Sequence, residues 1–254
     1  MRRHMLRTTV AAVATAGAAL LTVGTAGAAS ASPATAGTHT AAHPVIYTSS
    51  QGGYTVSGRW FRYVATYFKV PPAGAVDSYA QVVLGGPKVD PVTLALKAGG
   101  GPNSVGWAVG VPPFGMGGAV LSKISPAVND TVLLDLYYNQ ATGGVTATAT
   151  DTTSGRTQSI TIAEGTKALF TSAEVACAIK NPASPPASNA RLWQFNNSHV
   201  TTYTGLRGSM TGKWTTSQVI DTTNGHASGH VVMSPSFLFN NGGDFGAWLR
   251  TWLR

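Results

Sequence analysis

Residues 131–162 read TVLLDLYYNQATGGVTATATDTTSGRTQSITI, and this stretch decides the fold class. Apolar side chains recur at every second position from Thr131 to Asn139 and again from Val145 to Thr150, the rhythm that gives a strand one buried face. Thr142-Gly143-Gly144 joins the two runs, and Thr153-Ser154-Gly155-Arg156 joins the second to Gln158 to Ile162. Both connections carry hairpin residues, so the segment predicts an antiparallel meander.

The same punctuation extends outward. Arg59 to Val70 closes on Pro71-Pro72, Tyr79 to Leu84 on Gly85-Gly86-Pro87, and Val92 to Lys97 on Gly99-Gly100-Gly101-Pro102, with a further strand expected at Gly106 to Val111. Downstream, Arg191 to Asn196, Val200 to Thr204, Ser217 to Asp221, His230 to Ser234 and Phe245 to Trp252 offer short strands, too few for a second core. Asn181-Pro182-Ala183-Ser184-Pro185-Pro186-Ala187-Ser188 reads as a surface loop inside one domain. The fold class expected is all-β, a sandwich of two antiparallel sheets.

Composition agrees. The 254 residues are 43% hydrophobic and 10% charged, enough apolar material for a core, and only two glutamates, Glu164 and Glu174, are present, which argues against helical bundles. Met1 to Ala31 has the layout of a secretory signal peptide: Arg2, Arg3 and Arg7, an apolar run from Val10 to Val23, then Ala29-Ser30-Ala31. An uncleaved membrane anchor is the alternative, weakened by the Thr and Gly that interrupt the run. The expected organisation is therefore a leader over 1–31, a flexible Ala/Thr/Gly/Pro stretch over 32–43 and one β domain over 44–254.

Loss of those three arginines takes Lys+Arg from 17 to 14 against 9 acidic residues, a net +5. The cations are scattered and do not alternate with aromatics, so a nucleic-acid partner is not expected. A secreted, extracellular monomer that leaves the membrane on signal cleavage is. The single cysteine, Cys177, cannot form an internal disulfide and lies in the apolar run Val175 to Ile179, the setting of a buried structural thiol.

Chemistry has few places to sit. No G-x-S-x-G elbow, H-E-x-x-H, P-loop or paired-cysteine framework occurs. Gly205-Leu206-Arg207-Gly208-Ser209 reads as a turn, and His226 and His230 lack a nearby carboxylate or thiolate, so neither a metal nor a cofactor is expected. Glu164 precedes Gly165 in a turn. Glu174 instead lies among Leu169, Phe170, Ala173, Val175 and Ala176, where burial would raise its pKa towards catalytic use; a glutamate at a strand rim paired with a lysine is the plainer alternative.

Around these residues the chain resembles the glutamic peptidases, or eqolisins, and their secreted bacterial relatives. Gly53-Tyr54 and Tyr67-Phe68-Lys69-Val70-Pro71 are similar to that family's opening strand, Val83-Leu84-Gly85-Gly86 to its W-x-G turn, and Leu96-Lys97-Ala98-Gly99 to its I-Q-A-G. Gly106-Trp107 with Pro112, Ile124 to Asp130, Ser172-Ala173-Glu174-Val175-Ala176, and Met233-Ser234-Pro235-Ser236 through Asn241-Gly242-Gly243-Asp244-Phe245 to Trp248 follow in the family's order, spanning roughly Tyr47 to Trp252. The resemblance implies a concanavalin-like sandwich carrying a glutamate and a glutamine, and an acid endopeptidase acting on polypeptides. The glutamate acts as general base and then acid, while the glutamine amide stabilises the oxyanion.

Carried across, the glutamate is Glu174, whereas the glutamine position falls on Lys97, and Val83 and Val175 stand where the family has aromatics. An ammonium beside Glu174 would hold its carboxylate ionised and lower its pKa. Gln81 is the substitute amide if its strand turns it the right way. The expected site is thus Glu174 and Lys97 as catalytic groups, with Gln81, Val83 and Trp107 binding substrate. A non-catalytic peptide- or polysaccharide-binding relative, and an unrelated sugar-binding or adhesion sandwich displaying Trp107, Trp193 and Trp214, are the alternatives.

Overall fold

A computed structural model describes residues 43–48, 51–72, 77–99, 101–110, 119–179, 190–223 and 225–250. The expected leader, nearly all of the stretch before Pro44, and the loop from Asn181 to Ser188 lie outside the described residues. Among the described residues there is no helix.

Fifteen strands follow one another: β1 (Val45–Thr48), β2 (Gln51–Ser57), β3 (Phe61–Lys69), β4 (Ser78–Gly86), β5 (Val89–Ala98), β6 (Ser104–Val109), β7 (Thr131–Asn139) and β8 (Gly144–Asp151). The chain continues with β9 (Arg156–Ala163), β10 (Ser172–Ile179), β11 (Ala190–Thr202), β12 (Arg207–Ser209), β13 (Thr215–Thr222), β14 (Val231–Pro235) and β15 (Phe245–Leu249). Hydrogen bonding runs in one path, β6-β5-β4-β10-β2-β13-β14-β15-β11-β3-β7-β8-β9. The path curls so that its halves pack face to face, β3 lying across β4 and β10 and β7 across β4 and β5. The result is the all-β sandwich, antiparallel throughout except for the parallel pairing of β1 with β13.

The meander forms as its pattern dictates. Val132, Leu134, Leu136 and Tyr138 are buried in the common apolar cluster with Val145, Ala147 and Ala149, while threonines on the outer face of β8 and β9 pair across strands, as Thr150 does with Thr157 at 3.0 Å. Gly143, at φ 70°, takes the turn conformation that a side chain resists, and a Cβ there would collide with the backbone of Gly165 and Thr166.

Two features depart from expectation. Two short strands are expected over Arg191 to Thr204, but β11 is one long strand that absorbs register shifts between Asn196 and His199 and between Thr201 and Thr202. The tryptophans are also less exposed than expected. Trp193 is buried, its indole N–H bonded to Ser78 Oγ at 3.1 Å and its ring edge-on to Phe68. Trp214 is half-buried against Phe61 and donates to the Met210 carbonyl at 3.1 Å.

Candidate functional site

Strand alternation sorts β4, β10 and β2 into two faces. Val82 and Leu84, Ala173, Val175 and Cys177, and Tyr54 and Val56 enter the apolar cluster between the layers. Gln81 and Val83, Glu174 and Ala176, and Gln51, Gly53 and Thr55 therefore share the opposite face. Register arranges that face in rows. One runs Thr93–Val83–Glu174–Thr55–Ser217 across five strands, and the next runs Ala95–Gln81–Ala176–Gly53–Val219.

The second row is small on both sides of Gln81, which leaves room for its side chain to lie along the sheet. Its Nε2 donates to Gln51 Oε1 at 2.7 Å and to Glu174 Oε1 at 3.4 Å. An ionised carboxylate can only accept, so the Gln81 amide nitrogen faces Glu174, and Gln51 turns its oxygen to the same nitrogen. Gln81 Oε1 is left buried without a hydrogen-bond partner, and the residue as a whole is 0% exposed. Glu174 stays partly open, as do its row neighbours Val83 and Thr55. Burial pushes the Glu174 carboxyl up to about 7, and the hydrogen bond from Gln81 acts against that rise.

Lys97 and Glu174 are not neighbours. Lys97 faces Tyr79 across β5 and β4, whereas Glu174 faces Val83 across β10 and β4, two strands away and four residues along. With strands ~4.8 Å apart and ~3.3 Å per residue, the Cα atoms stand roughly 16 Å from each other. The Lys97 ammonium instead pairs with Asp77 at 3.0 Å. The expected lowering of the Glu174 pKa by an adjacent cation is thus replaced by a rise. Trp107 is also displaced from the expected position: it lies opposite Leu94, on the face turned to the apolar cluster, and its indole nitrogen finds no acceptor among the described residues.

Cys177 is fully buried on the core side, where burial pushes its thiol up. Among the described residues no group of three His, Cys, Asp or Glu side chains converges as a metal site. Gln51 was not singled out in the sequence because Gln51-Gly52-Gly53 lacks strand propensity. The signal was the alternation of Gln51, Gly53 and Thr55 with Tyr54 and Val56. Asp221 was also missed: it is 3% exposed, and burial pushes its carboxyl up to about 7.

No protein-family model matches this sequence, and no curated protein matches it. Solved structures do. Scytalido-glutamic peptidase with a transition-state analogue inhibitor is similar with a TM-score of 0.60 at 15% identity, over 82% of this chain and 100% of that one. SCP-B, a member of the eqolisin family in complex with the tripeptide Ala-Ile-His, is similar with a TM-score of 0.57 at 15% identity, over 82% and 100% of the two chains. At this level of identity the likeness is one of fold.

Proposed function

We propose that this chain, built on the fold seen in glutamic peptidases, is a secreted endopeptidase in which Glu174 handles the proton of the attacking water. The observation that carries this reading is the hydrogen bond from the Gln81 amide to the carboxylate of Glu174, a residue that is partly open. Ionised Glu174 takes a proton as the water oxygen bonds to the scissile carbonyl carbon. It returns that proton to the leaving nitrogen as the C–N bond breaks. Val83 and Thr55 flank the carboxyl in the same row and would form the nearest walls for a bound polypeptide.

Gln81 takes a different part from the glutamine implied by the resemblance. Being fully buried, it holds Glu174 from beneath as a positioning residue and does not touch substrate. The Glu174 value of about 7 also moves the expected acid optimum towards neutrality, because a general base must start ionised. The burial of Gln81 favours one second reading, a peptide-binding face without turnover.

Cleavage of denatured casein by the secreted chain across acid and neutral pH tests the proposal. Glu174→Gln is expected to lower kcat/KM by about 10³-fold. Wild-type chain that binds casein without cleaving it decides for the second reading, and cleavage that survives Glu174→Gln overturns the first.

A further inference from the structure

The β11–β12 edge and the loop between β14 and β15 border an open surface cavity of about 480 Å³, in the opposite half of the strand path from Glu174. Its walls are unusual in backbone. Asn197, Asn240 and Asn241 have φ of 49°, 49° and 57°, three of the four non-glycine residues with positive φ among the described residues. Asp244 pins two of them, accepting from the Asn197 backbone N–H at 2.6 Å and the Asn240 side-chain amide at 2.5 Å, while Ser209 Oγ donates to the Asn241 carbonyl at 2.5 Å. The frame is preorganised.

Most of the residues lining the cavity are polar. His199 is 7% exposed and bonds Asn197 O through Nδ1 at 2.8 Å and Arg207 Nη2 through Nε2 at 2.9 Å. A carbonyl can only accept and a guanidinium can only donate, so the ring is the neutral Nδ1–H tautomer and its lone pair orients Arg207. Arg207, Asn197 and Asn241 are exposed, and Arg207 has no carboxylate partner among the described residues. The residues that line the pocket thus offer a guanidinium fork, two exposed amides and a carboxylate with spare lone pairs.

Charge selects among ligands. A simple anion would meet Asp244, a cation would meet Arg207, and an apolar group would bury the amides unpaired. Neutral hydroxyls, each able to donate and accept, satisfy all of them, and the volume falls in the range of small-molecule sites. We infer that this cavity binds a neutral saccharide of one or two units, held by Arg207, Asn197, Asn241 and Asp244.

The test is an NMR titration of the ¹⁵N-labelled secreted chain with glucose, galactose, mannose and N-acetylglucosamine, and with sodium sulfate as the anion control. At least one sugar should shift the His199 ring and the Asn197 and Asn241 amide signals saturably, with a Kd of about 1 mM. Asn241→Gly, which keeps the left-handed backbone without the amide, and Arg207→Gln, which alters an exposed side chain, should each weaken binding about tenfold. Glu174→Gln should bind sugar as the wild type does, which separates this site from the peptidase proposal. If none of the four sugars moves these signals, or if sulfate alone does, the inference is wrong.

Discussion

Gln81 donates to Gln51 at 2.7 Å and to Glu174 at 3.4 Å, and the ionised carboxylate, which can only accept, decides which way the amide faces. Glu174 receives the second hydrogen of that nitrogen. The carboxyl is therefore subject to two opposing influences, burial that raises its pKa and an amide that lowers it.

Removing the amide should leave burial unopposed. Gln81→Ala is expected to raise the Glu174 pKa above its value of about 7. Because the chain has only two glutamates, ¹³C labelling of glutamate gives two carboxyl signals, and the higher-titrating one reports Glu174. A downward shift would show that Gln81 does not stabilise the ionised form.

Lys97→Gln should leave the Glu174 titration unchanged, since the ammonium belongs to Asp77. With the two side chains 27% and 25% exposed, losing that pair should cost at most ~1 kcal/mol. A change in the Glu174 titration, or in casein cleavage beyond about twofold, would place the two residues closer than their register allows.

Gly53→Ala tests the close approach of β2 and β10 beneath the site. A Cβ at this position would collide with the Val175 carbonyl oxygen and stand 2.6 Å from Ala176 Cα, both belonging to paired backbone that cannot swing aside. A loss of about 3 kcal/mol or more in urea unfolding is expected, with weakened cleavage. Wild-type stability in this variant would contradict the packing described.

Stability should be greater in mild acid than at neutrality. Burial raises Glu174 and Asp221 to about 7 and Asp135 to about 6. A carboxyl raised in the folded state contributes stability that is fully present below its unfolded value and lost as pH rises through the folded one. The loss should fall mainly between about pH 4 and 7. His199 acts the other way, since burial lowers its pKa and its contribution is lost as pH falls. Burial raises Glu164 as well, so four carboxyls act against one histidine, while Asp151, held low by hydrogen bonds from Ser154 and Thr153 in spite of its burial, loses its contribution only in stronger acid. Tm is expected to fall from about pH 5 to about pH 8, and Glu174→Gln to flatten the curve; a Tm that rises over that interval would reverse the assignment.

Strand alternation and turn residues act over a few neighbouring positions, so the all-β class and the hairpins at Gly143 and Gly155 are legible in the sequence. It also singled out Glu174, a carboxyl in an apolar run with only one rival glutamate. What stands beside that carboxyl follows from the folded sheet alone. Lys97 and Gln81 share its sheet face, and the choice between them rests on the register of β4 against β5 and β10, where a slip of two residues keeps every face and changes every neighbour. Nor could local pattern announce the Asn197–Arg207–Asn241 cavity, whose walls come from β11, β12 and the loop before β15. Periodicity along the chain fixes which way a side chain points, whereas its neighbours are set by pairings between distant strands whose register many packing contacts decide together.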